Sequence, residues 1–262
     1  MIARTAVGFA LACAISLVAW RARALSRSGA LAATIVGTAA LAAGWSWGAL
    51  LFAFFMTGTA LSRAQRESKL RRTESVVAKG GTRDAVQVLA NGGLFALAAL
   101  ASLVAPAIAC MTIGGGALAA ASADTWGTEV GTRSSRSPRL ITTWRRVAAG
   151  TSGGVTIVGL LASVAGGVFI GVVAWLVHWP SHVAVAAAAG GIAGALADSF
   201  AGAVLQSRRR CARCGALTER RVHTCGDVTQ RIGGIPWLDN DGVNLLAGLT
   251  GAAVALMLAG HR

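Results

Sequence analysis

The sequence predicts an all-α membrane protein: a polytopic helix bundle of about seven to eight transmembrane helices, several of them short, with cytoplasmic basic loops and an internal pseudo-repeat. Of its 262 residues, 55% are hydrophobic and 13% are charged, whereas a soluble domain averages about 25% charged residues. Apolar runs of about 18 residues, long enough to cross a bilayer, recur along the chain. We therefore predict a single integral membrane domain, residues 1–262, with the lipid bilayer as a partner.

Eight spans follow in order from the apolar runs and the breaks between them. They cover residues 2–20, 30–44, 46–61, 87–105, 107–123, 153–177, 183–205 and 242–260. GWSWG at 44–48 and Pro106 each predict a tight turn between two short helices, and Trp45 and Trp47 are predicted as interfacial anchors. HWPSH at 178–182 separates the sixth and seventh spans. Since several spans are shorter than about 20 residues, re-entrant helices would change the count by one or two.

The distribution of charge tests this topology. Of the 24 lysines and arginines, 22 lie in the four longer connections, and only Arg4 and Arg262 lie elsewhere. Those connections are 21–29, 62–86, 124–152 and 206–241. The eight-span arrangement puts all four on one face, which the positive-inside rule makes cytoplasmic. The net charge of +14 is then a property of membrane loops, so we expect no nucleic-acid partner. A bacterial inner membrane suits a chain without a targeting segment.

The acidic residues use the same face. Nine of the ten lie in or beside the four basic connections, and the tenth, Asp198, lies inside the seventh span. The nine are Glu67, Glu74, Asp84, Asp124, Glu129, Glu219, Asp227, Asp239 and Asp241. An ion pathway places carboxylates at several depths in the membrane. A site that works from the cytoplasm collects them on one side, as here.

Two segments read as a repeat, 116-GALAAASADTWGT-128 and 190-GGIAGALADSFAG-202. Both are small-residue helices that approach the inner face and carry an aspartate, Asp124 or Asp198, at matching positions. Gly and Ala at helical spacing allow close helix packing. Two carboxylates brought together repel each other unless a cation lies between them, and Mg²⁺ held by carboxylates and substrate phosphates is the usual arrangement. The alternative is that each aspartate caps a helix or pairs with an arginine.

The stretch 79-KGGTRDAVQVLANGG-93 is a second cluster. Spacing of three to four residues from Arg83 puts Gln87 and Asn91 on one helical face, with Asp84 beside it. Lys79, Gly80 and Gly81 form a basic approach to the N-terminus of this helix, which is a natural phosphate site. An ordinary basic juxtamembrane loop is the alternative, but it leaves the polar groups within the span unexplained.

Three short polar segments complete the candidate phosphate site. Glu129 follows Asp124 on the same element, where Thr125 and Thr128 either cap the helix or contact metal or phosphate. At the start of the sixth span, 150-GTSGGVT-156 has small residues whose backbone N–H groups can face an anion, although it is not a P-loop. At 236-PWLDNDGVN-244, the acid and amide side chains have two equally good interpretations. They are either hard-oxygen metal ligands or a helix N-cap.

The sequence 211-CARCGALTERRVHTCG-226 lies within the loop 206–241. Cys211, Cys214, His223 and Cys225 have the residue types and the first spacing of a Cys₃His zinc site, which would fold the insert 211–225 and take no part in the chemistry. On the predicted topology the loop is cytosolic, where a disulfide is improbable. A group of reduced cysteines is the alternative.

Together these residues resemble domain-of-unknown-function family 92, an integral membrane family that includes a plant phytyl-phosphate kinase and an animal transmembrane protein. The resemblance covers nearly the whole chain through RDAVQVLANGG, ADTWGTEVG, ITTWRRVAAGTSGGVT, GALADSFAGAVLQ and LDNDGVN, in that order. Gly127 stands where the family pattern has alanine. The motif positions are Lys79, Arg83, Asp84, Gln87, Asn91, Asp124, Thr125, Glu129, Ser152, Asp198, Ser199, Asp239, Asn240 and Asn244.

The resemblance implies transfer of a phosphoryl group from a nucleoside triphosphate, with CTP as the implied donor, to an isoprenoid monophosphate. In that interpretation Asp124, Asp198, Asp239 and Asp241 supply Mg²⁺ ligands, helped by Glu129, while Lys79 and Arg83 neutralise phosphate oxygens. The remaining predicted contacts to substrate are Asp84, Gln87, Asn91, Thr125, Thr128, Thr151, Ser152, Gly153, Gly154, Ser199, Asn240 and Asn244. A transporter or flippase for an anionic small molecule or lipid phosphate is the rival, supported by the repeat and by polar residues within helices.

Overall fold

A computed structural model describes residues 2–64, 72–79 and 81–260; Glu67, Gly80 and Arg262 lie outside these ranges. The described part contains eight helices of 17 to 25 residues. They are α1 (Ile2–Arg21), α2 (Arg27–Ala43), α3 (Trp45–Ala64), α4 (Ala85–Ala101), α5 (Ala107–Gly131), α6 (Ile157–Leu176), α7 (Ser181–Val204) and α8 (Asn240–Ala259).

The helices have the surface of a membrane bundle. Five of those described, α1, α5, α6, α7 and α8, are long and apolar enough to cross a bilayer, while α2 and α4 are shorter apolar helices of 17 residues. Large apolar side chains remain exposed along α6 from Ile157 to Trp175. Exposed apolar surface of this extent is costly in water and suits contact with lipid. The predicted class, a helical bundle with several short members, agrees with the structure.

Two small sheets lie in the connections, which the all-α prediction did not include. The strand β1 (Arg139–Leu140) pairs antiparallel with β2 (Gly154–Val155). In the loop before α8, β3 (Arg208–Cys211) lies between β4 (Leu217–Thr218) and β5 (Thr229–Gly233), antiparallel to both. Strands of two to five residues are too short for alternating hydrophobicity to reveal them.

Two helix boundaries differ from the prediction near the polar segments. Helix α5 continues to Gly131 instead of ending at 123, so Asp124 and Glu129 lie within a helix and neither caps it. Helix α6 starts at Ile157, after an N-cap in which the Thr156 hydroxyl accepts the Gly159 N–H at 3.0 Å. Residues 150–154 therefore precede the helix and lead into β2.

The core forms where the repeat helices α5 and α7 pack on each other and on α8 through small residues. A β-carbon placed on Gly191 of α7 would lie 2.7 Å from Cβ of Ala119 on α5. One placed on Gly251 of α8 would lie 2.6 Å from the carbonyl oxygen of Gly116. Helices this close have no room for larger residues, and the packing brings the inner ends of α5 and α7 together.

The tryptophans at the α2–α3 turn divide between surface and core. Trp45 is exposed, as predicted for an interfacial anchor. Trp47 is 2% exposed, and its ring centroid lies 5.0 Å from that of Phe95 and 4.9 Å from that of Trp179. The prediction that Trp47 anchors the interface is wrong, because its side chain points inward and fills the space that small residues of α5 leave open.

Candidate functional site

A cavity of about 1040 Å³ lies where the four basic connections meet. Its wall includes residues from every one of these connections and from the adjoining helix ends. Among the predicted site residues it is lined by Lys79, Arg83, Gln87, Asn91, Asp124, Thr125, Thr128, Glu129, Thr151, Ser152, Gly153, Gly154, Asp198, Ser199, Asp239, Asn240, Asp241 and Asn244. Residues distant in sequence thus share one polar space.

The aspartates of the repeat meet in this cavity. The carboxyl groups of Asp124 on α5 and Asp198 on α7 lie within hydrogen-bonding range of each other. The Oδ1 atom of Asp198 is inaccessible to solvent and has no hydrogen-bond partner among the described residues. Two adjacent carboxyl groups at a membrane helix end repel each other when both are ionised, so a shared proton or a cation is required there.

Lys79 and the start of α8 form a second charged group. The Lys79 ammonium nitrogen lies 2.5 Å from Oδ2 of Asp241 and 2.9 Å from Oδ2 of Asp84. Although burial opposes the charge of Lys79, the hydrogen bonds and charges of the two aspartates raise its pKa above the ordinary value. Asp241 is 5% exposed, and its Oδ1 has no partner among the described residues. This lysine therefore stays cationic at neutral pH.

Glu219, which the sequence analysis counted as acidic but did not assign to the site, lies in the cavity wall. Its Oε1 accepts a short hydrogen bond from the Ser152 hydroxyl and another, at 2.8 Å, from the amide of Gln206. Burial raises the pKa of Glu219 above its ordinary value, although the hydrogen bonds from these donors act to lower it. Glu219 also lies close enough to Asp198 to interact with it electrostatically, so it is a third acidic residue beside the two aspartates of the repeat.

Arg83 lies between α3 and α5. A β-carbon placed on Gly58 would lie 3.2 Å from its Nη2 and 3.3 Å from Cγ2 of Thr125, so this glycine leaves the space that the guanidinium occupies. Burial lowers the pKa of Arg83, and the nearby charge of Glu129 opposes that shift. Glu129 also accepts a hydrogen bond from the Ser62 hydroxyl at 2.7 Å. This arginine is thus a fixed positive charge at one end of the cavity.

The polar face of α4 serves first to start the helix. The Asp84 carboxylate accepts the Gln87 N–H at 2.9 Å, and the Gln87 side chain accepts the Asp84 N–H at 3.1 Å, which together form a capping box. Asp84 does not line the cavity, and the Lys79 ammonium and the Gln87 N–H overcome the effect of burial and lower its pKa. Asn91 donates to the Gln87 carbonyl at 2.9 Å. These bonds explain part of the polarity within this span.

The loop 150–154 packs against α7 just before the start of α6. Gly153 has φ +74°, and a β-carbon there would collide with Ala203. The Gly154 N–H donates to the Thr151 carbonyl at 2.9 Å and closes a turn. Ser152 directs its hydroxyl at Glu219. The loop therefore contributes this seryl side chain and a close approach to α7, while its Gly154 N–H is already used.

The other polar residues divide between capping and lining. Asp239 is the N-cap of α8, where its side chain accepts the Gly242 N–H at 3.1 Å. The side chains of Asn240, Asn244, Ser199 and Thr128 line the cavity. Trp126 stacks on Phe169, with ring centroids 5.3 Å apart, and so packs between α5 and α6.

Two neighbouring carboxyl groups of the cavity could hold a divalent cation. Asp124 and Asp198 offer adjacent carboxyl groups, and among the described residues the buried Oδ1 atoms of Asp198 and Asp241 have no hydrogen-bond partner. Carboxylate oxygens are the ligands that Mg²⁺ prefers, and it commonly takes one or two from the protein. Asp239 caps α8 and Asp241 pairs with Lys79, so Asp124 and Asp198 are the stronger candidates. Among the described residues, only Cys211, Cys214, His223 and Cys225 bring three or more potential ligand atoms within 4.8 Å of one another, so these two aspartates offer a pair of ligands and not a closed site.

Comparison with known proteins places the chain in a family. A model of the integral membrane protein family DUF92 matches residues 10–252. The chain belongs to the DUF92 family. Protein PGR of Arabidopsis thaliana is 34% identical over 261 residues, which cover 88% of this chain and 89% of the relative. The uncharacterized membrane protein MJ0933 of Methanocaldococcus jannaschii is 31% identical over 236 residues, covering 88% and 92%. No solved structure matches this chain significantly.

Two site residues of this DUF92 protein were missed by sequence reasoning. Gln206 ends the motif GALADSFAGAVLQ just beyond α7, and its side chain is 2% exposed. Glu219 lies in the Cys/His loop, which was treated as separate from the site. Gln206 could have been predicted as a site residue, because it is a long polar side chain directly after an apolar helix. Nothing in the sequence indicates that the loop folds back onto Ser152.

Proposed function

We propose that this DUF92 protein is a membrane lipid-phosphate kinase that uses Mg²⁺ and transfers a phosphoryl group from a nucleoside triphosphate to an isoprenoid monophosphate. CTP is the proposed donor, and phytyl or geranylgeranyl phosphate is the proposed acceptor. The site faces the cytoplasm of a bacterial inner membrane. The rival function is transport of an anionic small molecule or lipid phosphate.

One observation carries the proposal: the polar cavity borders an apolar groove. The groove, of about 120 Å³, lies among α1, α2, α3 and α4. It shares with the cavity the residues Arg83, Gln87, Asn91 and Thr125. Its remaining wall is almost entirely apolar, with Leu51, Phe54 and other side chains of those helices. A ligand with an anionic head and an apolar tail suits this junction, with its phosphate near the guanidinium and the first carbons of its tail in the groove.

The charges of the cavity fit phosphoryl transfer. In the proposed step the terminal P–O bond of the donor breaks, its phosphorus bonds to an oxygen of the lipid phosphate, and a nucleoside diphosphate leaves. Such a reaction depends mainly on positioning and on neutralising charge. Mg²⁺ held by Asp124 and Asp198 would supply part of that neutralisation. Lys79 and Arg83 supply cationic donors for phosphate oxygens, and an ionised acceptor phosphate has no proton that a base must remove.

The decisive experiment is an assay of the purified protein in detergent or proteoliposomes with labelled CTP or ATP, Mg²⁺ and phytyl or geranylgeranyl phosphate. We expect lipid diphosphate with the wild-type protein. Because Asp124→Asn and Asp198→Asn each remove a carboxylate from the proposed cation site, each should lower turnover by about 100-fold or more. Asp227→Asn, an isosteric change in the loop before α8 and outside the cavity lining, is the matched control and should retain activity.

The outcomes separate the two functions. Turnover that survives both cavity variants would contradict the assigned site. Absence of turnover with every donor, together with uptake of lipid phosphate or inorganic phosphate by vesicles, would favour transport. An acceptor series from short to long chains tests the groove, since a kinase that uses it should prefer an isoprenoid phosphate over inorganic phosphate.

A further inference from the structure

The four sulfur and nitrogen side chains of the loop before α8 converge outside the cavity. One ligand atom from each of Cys211, Cys214, His223 and Cys225 lies within 4.8 Å of all the others. We propose that they bind one Zn²⁺, and that this metal folds the loop so as to hold Glu219 in the cavity wall. The proposal concerns a structural metal and does not depend on the kinase reaction.

The distances between the ligand atoms match the edges of a tetrahedron around zinc. The sulfurs of Cys211 and Cys225 are 3.5 Å apart, and those of Cys214 and Cys225 are 4.0 Å apart. Nδ1 of His223 lies 3.5 Å from the Cys214 sulfur and 3.1 Å from that of Cys225. With Zn–S near 2.3 Å and Zn–N near 2.0–2.1 Å, tetrahedral edges are about 3.8 Å between sulfurs and about 3.6 Å between sulfur and nitrogen.

The backbone is shaped for ligation at both ends of the loop. A glycine with positive φ follows Cys214 and another follows Cys225: Gly215 has φ +71° and Gly226 has φ +88°. No atom lies within 4 Å of a β-carbon placed on either glycine, so packing does not require glycine there and the turn alone does. Each turn directs its cysteine back toward the cluster, in the manner of a pair of metal-binding knuckles.

The ligand set selects the metal. Three thiolates and an imidazole suit Zn²⁺, whereas Mg²⁺ prefers oxygen ligands. All three cysteines are free thiols, and any one disulfide among them would leave the third cysteine and the histidine without a role. Cys211 is 1% exposed and His223 is 8% exposed, so half of the cluster is buried in a loop with few other apolar contacts to stabilise it.

The cluster is connected to the cavity through β3 and β4. Cys211 ends β3, and its N–H donates to the Ala216 carbonyl at 2.9 Å, which holds the start of β4. At the other end of β4, the Thr218 hydroxyl donates to the Val76 carbonyl at 3.2 Å. Glu219 follows directly, and its N–H also donates to the Val76 carbonyl, at 2.8 Å. Zinc at the cluster thus fixes a short sheet whose far end delivers the glutamate that accepts from Ser152.

Metal content of the purified full-length protein tests the binding site directly. We expect one zinc per chain by elemental analysis and, after exchange with Co²⁺, the absorption of a tetrahedral thiolate complex. Cys214→Ser and Cys225→Ser should each lose zinc, whereas Cys110→Ser, a buried thiol in α5, should keep it. Wild-type protein that is isolated under reducing conditions without zinc and gives no Co²⁺ spectrum overturns the proposal, whatever the variants do.

Limited trypsin digestion tests the connection to the cavity. The loop contains Arg213, Arg220 and Arg221, and the connection before α6 contains Arg136 and Arg145, which serve as an internal reference. Removing zinc with a chelator should speed cleavage at the first group at least about 10-fold and leave the second unchanged; added Zn²⁺ should reverse this. Equal cleavage with and without zinc would show that the metal does not hold this wall. Neither result depends on kinase activity.

Discussion

At the scale of single residues, the positive charge of Lys79 stabilises the buried carboxylate of Asp241 at the start of α8. Asp241 is 5% exposed and pairs with Lys79, whose side chain is 42% exposed. Lys79→Met keeps the length of the side chain but leaves this carboxylate without a cation. We expect a loss of about 1–3 kcal/mol, less than for a fully buried pair because water still reaches the lysine. The thermal midpoint of the purified protein measures it.

A second substitution separates this electrostatic cost from lost packing. Lys79→Met with Asp241→Asn removes both charges and should recover most of the stability, while Arg136→Met, an exposed cation of another connection, should change little. Since the pKa of Lys79 is raised, its contribution is present while both aspartates are ionised and the pH is below about 10.4, the unfolded value, and it is lost as the pH rises through the folded value. A double variant less stable than Lys79→Met alone would contradict this account.

At the scale of helices, the meeting of Asp124 and Asp198 depends on glycines. A β-carbon added to Gly251 of α8 would lie 2.6 Å from the carbonyl oxygen of Gly116 and 3.1 Å from that of Gly190. Gly251→Ala should therefore push α8 away from both repeat helices and lower stability by about 1–3 kcal/mol. Thermal unfolding provides the measurement, and the proposed phosphoryl transfer should slow with it.

The same helix offers a matched control one turn earlier. A β-carbon on Gly248 would meet only Cδ1 of Leu94 within 4 Å, at 3.4 Å, an ordinary contact. Gly248→Ala should be neutral or slightly stabilising, because alanine is favoured over glycine within a helix. If the two alanine variants were equally stable, close helix approach at Gly251 would not be what holds the repeat together.

The elements that sequence predicts well are those set by local composition. The apolar runs, the turns at Gly44 and Pro106, and the small-residue pattern of the repeat all follow from side-chain size and polarity along one stretch of chain. The fold-back of Glu219 onto Ser152 and the inward turn of Trp47 depend on tertiary packing, which no local pattern encodes. A polar residue near a helix end can bind a ligand or cap the helix, and the sequence does not distinguish the two. Asp84 and Gln87 were predicted as ligands, and in the structure they form a capping box.

At the scale of the whole molecule, charge determines orientation. The cavity is lined from all four basic connections, so the positive-inside rule predicts that it opens to the cytoplasm. The wild-type chain, with its five native cysteines, is the reference. In bacterial cells, a membrane-impermeant thiol reagent should label Ser181→Cys, at the start of α7, more than the wild-type chain without permeabilisation. Ser135→Cys, in the connection between α5 and α6, should be labelled only after permeabilisation. Both positions are exposed, so accessibility and not burial decides the result. Labelling of Ser135→Cys in intact cells would show that the orientation is the opposite of the predicted one. The cavity would then open to the outside, where no cytoplasmic nucleotide could reach it.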